Sequence, residues 1–450
     1  MYWYISFLRP PPVSVNSTTK EITITPQVAN DLRTELRYEP TTIQYVWQKI
    51  SPITSTISPP QELTVFSPPQ STYKPISIPL PTKIQIGDSW RLGLFCSDSP
   101  RTKDASNKKA GPSSSLLSLC EEDDVGVLGV WSEGINIIRP EIFSNGVMKG
   151  INGKNTKSKE KHDNSKKDNG KGKGKEKEKD DGPKQGRITR DFTLPKQVKV
   201  DNDNVESMLR IIEQTSFDLD KKIWDSGLAL SSWFWKYLPE NQFDHDHNLA
   251  NEVINLIRSQ NKLDILELGS GTGLVSIALS LALKRYLPKL QRNVVTTDLE
   301  SAIPLMTENL LFNSLENSED GSIQIDAKVL DWDQELPSYV SESWPELIIA
   351  ADVTYNTSAF PSLLRTITSL LNPLGEIRTI SVSQDDEDIV TKKRKRDINP
   401  ILVLAYKQRD LAERDLWEML KQENIQMVLV DRIKGAEEEG ETEIWIGKYV

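Results

Sequence analysis

The chain has 450 residues and a formal net charge of −10, with 37% of its residues hydrophobic. That length leaves room for two or three domains, and the acidic balance argues against general nucleic-acid binding. Two cysteines, Cys96 and Cys120, make no disulfide framework and fit a reducing compartment.

Residues 1–150 are rich in Pro, Ser and Thr and open with "MYWYISFLRPPPV", which lacks the charged start and cleavage site of a signal peptide. Short strand-like runs follow, among them "KEITITPQ", "TIQYVW", "SWRLGLFC" and "VGVLGVWSEG". Their spacing predicts a small β-rich N-terminal domain, completed by "RITRDFTLP" (187–195). Substrate docking and a structural appendage are both open as its role. Between these runs lies "GKNTKSKEKHDNSKKDNGKGKGKEKEKDDGPKQG" (153–186), which carries almost nothing apolar. A disordered linker is expected over 151–186, then a connecting segment over 187–213.

From residue 214 the pattern changes to alternating strands and helices, and no apolar run reaches membrane-spanning length. "SSWFWKY" (231–237) reads as a helix face that is mostly core. His245 and His247 in "FDHDHN" carry metal-ligand chemistry, but a solvated polar loop is the better reading, so no metal is expected. "LDILELGSGTGLVSIALSLAL" (263–283) then gives an apolar strand, three glycines and a helix. Gly269, Gly271 and Gly273 stand in G-x-G-x-G spacing, where a missing Cβ permits positive φ and close approach to a ligand. Leu274 occupies the place of the last glycine of a dinucleotide fingerprint, and no lysine follows to cradle a phosphate. What remains is the turn of class I methyltransferases, which hold S-adenosylmethionine, and Glu267 before it agrees. A plain tight turn with packing glycines stays open on this stretch alone.

Further signals fall at strand ends. "NVVTTDLE" (293–300) ends in Asp298, about 25 residues past the last glycine, where an acid suits two ribose hydroxyls. "IQIDAKVLDWDQELP" (323–337) ends in Asp331 and Trp332, and an indole offers adenine a flat apolar face, with core packing as the alternative. "PELIIAADVTYN" (345–356) ends in Asp352 and Tyr355. Ligands of open α/β sheets gather at such ends, so these residues predict one crevice.

Over about residues 214–450 the chain resembles the class I (seven-β-strand) protein-lysine methyltransferases of methyltransferase family 16. The resemblance rests on "IWDSGLALSSW" (223–233), "LELGSGTGLVSI" (266–277), "TTDL" (296–299), "LDW" (330–332) and "AADVTY" (350–355). It implies a Rossmann-like α/β fold, a seven-stranded sheet with helices on both faces. It places Trp224, Gly269, Ser270, Gly271, Asp298, Trp332 and Ala351 along the cofactor pocket. Asp352 and Tyr355 match the family's D-x-x-Y motif beside the methyl-accepting amine. A charged insertion at 376–400 departs from the pattern, and its "KKRKR" (392–396) reads as a nuclear import signal, a patch for an acidic partner or a solvated loop. The chain then returns to it with "ILVLAYKQ" (401–408), helix 410–423 and strands 425–433 and 441–450.

The resemblance also supplies lysine and protein as the acceptor. A lysine, of pKa about 10.4 when free, must lose a proton before it attacks. Asp352 is expected to hold and steer the amine, and Tyr355 to give a wall or a hydrogen bond. The expected protein is a monomer of the cytoplasm, and also of the nucleus if "KKRKR" acts as an import signal, with a protein substrate and neither membrane nor specific nucleic acid as partner. Two alternatives carry weight: the same fold acting on a small molecule or another side chain, and a non-catalytic scaffold.

Overall fold

The computed structural model describes residues 2–96, 111–117, 126–140, 183–195, 208–214, 219–239, 248–315, 322–372, 399–435 and 440–450. Cys120, residues 153–182 of the low-complexity block, His245, His247, "KKRKR" and all but the last two residues of the 376–400 insertion lie outside the described residues.

The C-terminal half is built on a seven-stranded mixed sheet. Its strands are β1 (Lys262–Leu268), β2 (Gln291–Asp298), β3 (Ile323–Val329), β4 (Leu347–Ala351), β5 (Ile401–Lys407), β6 (Ile425–Ile433) and β7 (Thr442–Tyr449), in the order β3-β2-β1-β4-β5-β7-β6. The first five run parallel, and β7 pairs antiparallel with both β5 and β6. After β1 the chain steps outward to β2 and β3, then returns to the other side of β1 as β4. That reversal leaves a crevice at the carboxyl ends of β1 and β4.

Helices α1 (Asp225–Tyr237), α2 (Asn248–Ser259), α3 (Leu274–Tyr286), α4 (Ile303–Phe312), α5 (Ser338–Glu342), α6 (Phe360–Leu371) and α7 (Asp415–Gln422) connect the strands. Successive strand residues point to opposite faces, and here both faces are apolar. Ile265, Val294, Ile349 and Val403 share a core with Trp233, Phe234, Ile254 and Ile277 from α1, α2 and α3. Leu266, Ile348 and Leu404 pack with Leu363, Ile367, Leu416 and Leu420 from α6 and α7. The "SSWFWKY" aromatics Trp233, Phe234 and Trp235 are buried core, as the sequence suggested.

The N-terminal part forms a four-stranded and a ten-stranded sheet, linked in one core by residues such as Trp3, Ile5, Ile24, Trp47 and Leu94. Residues 187–195, expected to complete the N-terminal β-rich part, and 208–213, expected as part of a connecting segment, both contribute strands to the larger sheet. Arg187–Thr193 pairs with Val130–Ser132 and with Met208–Gln214. The first strand, Trp3–Arg9, is buried on both sides from Trp3 to Phe7. Trp3, Ile5 and Phe7 face the N-terminal core, whereas Tyr2 and Tyr4 enter the core of α1 and the seven-stranded sheet. A period-two strand thus stitches the two halves together.

A second seam runs along Met208–Gln214, the outermost strand of the larger sheet. Alternate residues of an antiparallel strand direct N–H and C=O away from the partner strand, here toward α4. Asn309 accepts from Ile212 N at 2.8 Å and donates to Ile212 O at 3.1 Å. One turn on, Asn313 accepts from Arg210 N at 2.9 Å and donates to Arg210 O at 2.7 Å. Asn309 Nδ2 also reaches Thr272 O in the glycine turn at 3.0 Å. We expect Asn309→Ala to lower stability by about 2–3 kcal/mol, because it strands buried backbone groups. Urea midpoints check this, and a loss under about 0.5 kcal/mol would show that the seam is energetically idle.

Candidate active site

The crevice is entered through the turn after β1. Gly269, Gly271 and Gly273 have φ of +60°, +55° and +79°, a region costly for any residue with a Cβ. Space is short as well. A Cβ on Gly269 would lie 2.9 Å from Val353 Cγ1 and 3.2 Å from Trp332 Cζ2. The turn is tied to the end of β2 by Ser270 N donating to Thr297 O at 2.9 Å and Thr297 N donating to Ser270 Oγ at 3.0 Å.

Asp298 stands across the turn and accepts from Gly271 N at 2.8 Å and from Leu299 N at 2.7 Å. Burial raises its pKa above the ordinary carboxylate value, and the two N–H donors work against that rise. Each oxygen keeps acceptor capacity for a hydroxyl. Glu267 lies deeper. It accepts from Ser276 N at 3.0 Å and from Ser276 Oγ, so it satisfies an otherwise orphaned donor in the first turn of α3. Its part in the site is to brace the turn as well as to line the pocket.

Burial pushes Glu267 up to about 7, against the donors of Ser276 and Ser270. Because the folded pKa lies above the unfolded value of about 4.5, the folded state binds more protons between pH 4.5 and 7. The resulting stabilisation is present below that window and is lost as pH rises through it, at up to about 1.4 kcal/mol per pH unit. Glu267→Gln should remove this slope. Urea midpoints of both proteins at pH 5 and 7.5 measure it, and parallel pH dependence would exclude the shift.

Around the turn gather Trp224 at the start of α1, Trp332 after β3, and Ala351, Asp352, Val353 and Tyr355 after β4. With Glu267, Gly269, Ser270, Gly271 and Asp298 they line one cavity of about 280 Å³, close to the roughly 300 Å³ at which ligand clefts begin. Gly273 is set back, its absent Cβ facing Met306 Cγ at 3.0 Å. It permits the turn without lining the cavity. Trp332 is half-buried and its carbonyl accepts from Arg365 Nη2 at 2.6 Å. Tyr355 is 55% exposed at the mouth, and burial of its hydroxyl with the charges of Asp298 and Asp220 keeps the phenol protonated.

Asp352 differs from its expected state. It is buried, has φ of +57°, and its carboxylate is fully engaged. Oδ1 accepts from Ser226 Oγ at 2.7 Å and Arg409 Nη1 at 2.6 Å, while Oδ2 accepts from Ser226 N at 3.2 Å and Arg409 Nη2 at 3.0 Å. A carboxylate with four donors has little left for direct capture of an amine. It fixes the start of α1 and hence Trp224, whose ring lies 5.3 Å from the Arg409 guanidinium. The helix that follows is capped by Asn356, which accepts from Ser358 N, so Asp352 plays no part there.

Arg409, Ser226 and Asp220 escaped the sequence reading. Asp220 lies across the cavity, its carbonyl oxygen 3.3 Å from where a Cβ on Gly271 would sit. A signal existed for Arg409: "YKQR" places two bases at the carboxyl end of an apolar strand, where the other site residues cluster. Among the described residues no cluster of His, Cys, Asp or Glu could hold a metal, and no helix is long and apolar enough to cross a membrane.

Residues 203–389 match the family model described as lysine methyltransferase. The chain is 26% identical over 207 residues to the protein-lysine N-methyltransferase EFM6 of Saccharomyces cerevisiae, covering 44% of this chain and 68% of that one. It is 34% identical over 106 residues to the protein N-lysine methyltransferase METTL21A of Danio rerio, covering 24% and 43%. With the UPF0665 family protein C23C4.06c of Schizosaccharomyces pombe it shares 29% identity over 164 residues, 36% of this chain and 42% of that one. The chain thus spans between 42% and 68% of the length of these relatives. Residues 203–389 contain the glycine turn, Asp298, Trp332 and Asp352, so the match to the lysine methyltransferase model spans the residues that line the crevice.

Proposed function

We propose that the protein transfers a methyl group from S-adenosylmethionine to the side-chain amine of a lysine in a protein substrate. The observation that carries this reading is convergence: the glycine turn, Asp298, Trp332 and the D-x-x-Y stretch, far apart in sequence, line a single cavity. When bound, the cofactor supplies an electrophilic sulfonium methyl. The residues of the chain do the rest by alignment. Asp298 has acceptor capacity for ribose hydroxyls, Trp332 offers a face to adenine, and the glycine turn leaves room for the methionine portion.

Trp224 and Tyr355 add aromatic surface to the lining of the cavity, and desolvation of a lysine there favours the neutral, reactive amine. Asp352 acts on Trp224 by positioning it, through Ser226 and Arg409. The N-terminal β-rich part is proposed to help present the substrate, and the protein to work as a monomer in the cytoplasm or nucleus. Purified protein should bind S-adenosylmethionine and its demethylated product in calorimetry, and NAD not at all. With labelled cofactor and a lysate lacking the gene, a discrete labelled protein band is expected. NAD binding without response to the sulfonium would overturn the assignment.

A further inference from the structure

Arg409 is a guanidinium beside a crevice proposed to hold a cation, and unneutralised it would repel that ligand. Two carboxylates share it. Asp352 takes both terminal nitrogens, and Asp31 accepts from Nη2 at 2.7 Å. Asp31 comes from the N-terminal part, in a tight turn after the strand Glu21–Ala29. Asn30 Oδ1 fixes that turn by accepting from Thr34 N at 3.0 Å and Glu35 N at 3.3 Å. Asp31 is buried, also accepts from Asp225 N at 3.4 Å at the start of α1, and lies 3.9 Å from Lys407 Nζ.

Asp225 completes the cluster. It accepts from Lys407 Nζ at 2.5 Å, Tyr4 Oη at 2.8 Å and Tyr2 N at 3.2 Å. Burial and the neighbouring Asp31 carboxylate push its pKa up, against the positive charge of Lys407. Arg409 and Lys407 hold Asp31 below its ordinary value although burial opposes them. The buried cluster therefore brings Asp31 and Asp352 together onto Arg409, and sets Asp225 on Lys407.

We infer that Asp31 is a specificity-determining residue of the cofactor crevice: by neutralising Arg409 from the N-terminal side, it removes a positive charge that would disfavour the cationic sulfonium relative to the neutral thioether product. The inference rests on the proposed function and deepens it. It makes the N-terminal part a contributor to the site's charge, and it links release of product to the loss of the sulfonium's own charge.

The test is calorimetry with S-adenosylmethionine and S-adenosylhomocysteine on the full chain. Asp31→Asn keeps the shape and removes one charge. Its affinity for the thioether should stay within about twofold of wild type. Its sulfonium-to-thioether affinity ratio should fall by several-fold to about tenfold, the scale of one unit charge at roughly 10 Å in a partly screened medium. A merely structural role would weaken both ligands together. If Asp31→Asn cannot be purified folded, Asp225→Asn removes the same charge from the far side of Lys407, and the same fall is required of it. A folded variant whose ratio matches wild type overturns the inference while the proposed function stands. Wild-type protein that binds neither ligand overturns both.

Discussion

Gly271→Arg is expected to abolish measurable S-adenosylmethionine binding and leave the protein folded. Gly271 sits at φ +55°, and a Cβ there would lie 3.3 Å from Asp220 O and 3.9 Å from Lys222 O, on the wall of the cavity. A longer side chain has nowhere to go without filling the crevice or pushing that wall aside. The left-handed conformation itself costs about 1–2 kcal/mol for a residue with a Cβ, which a domain of this size withstands. The same change disturbs the Gly271 N–H that orders Asp298. Calorimetry should show at least 100-fold weaker binding, a loss of about 2.8 kcal/mol, while circular dichroism stays native and the melting temperature drops by only a few degrees. A folded variant that binds at wild-type affinity would show that this turn is not the cofactor seat.

Asp352→Ala is expected to damage stability and turnover together. From the sequence a loss of catalysis with little structural cost is the natural expectation. The structure alters it, because the carboxylate neutralises Arg409 and satisfies two donors of Ser226. Breaking a buried ion pair by removing one partner costs about 3–5 kcal/mol, partly offset here because Asp31 remains on the guanidinium. Freed of its anchor, the start of α1 shifts and takes Trp224 with it, and misplacement by about 1 Å is worth on the order of 100-fold in rate. Asp352→Asn separates the two effects: it should recover much of the melting temperature and little of the methyl transfer to the labelled protein. An alanine variant with wild-type stability and turnover would remove Asp352 from the site altogether.

Legibility in the sequence followed the range of the physics. The three glycines were readable because positive φ is a local demand that few residues meet, and all three adopt it. Asp298 and Trp332 were readable because strand ends are marked by where apolar runs stop, and the sheet brings those ends to one side. The strands β5, β6 and β7 fell within a residue of their expected bounds for the same reason. Asp31 was invisible: 378 residues separate it from Arg409, and nothing in "VANDLRTE" distinguishes a buried ion-pair partner from a turn aspartate. Met208–Gln214 was missed because its outward groups bond to side chains of a helix, a pairing that leaves no period in either stretch.

The asparagine seam on α4 has a bearing on how the protein behaves among its own copies. An outermost strand offers unpaired N–H and C=O groups to any extended chain it meets, which is how sheets grow into fibres. Proteins commonly deter this with lysines, prolines or bulges. Here two amides, four residues apart on a helix, reproduce the donor and acceptor spacing of a neighbouring strand at Arg210 and Ile212. Because a helix presents its side chains but not its backbone, the false neighbour ends the ladder instead of extending it. The largest sheet of the protein is thereby closed at that side by a surface that a second copy cannot continue.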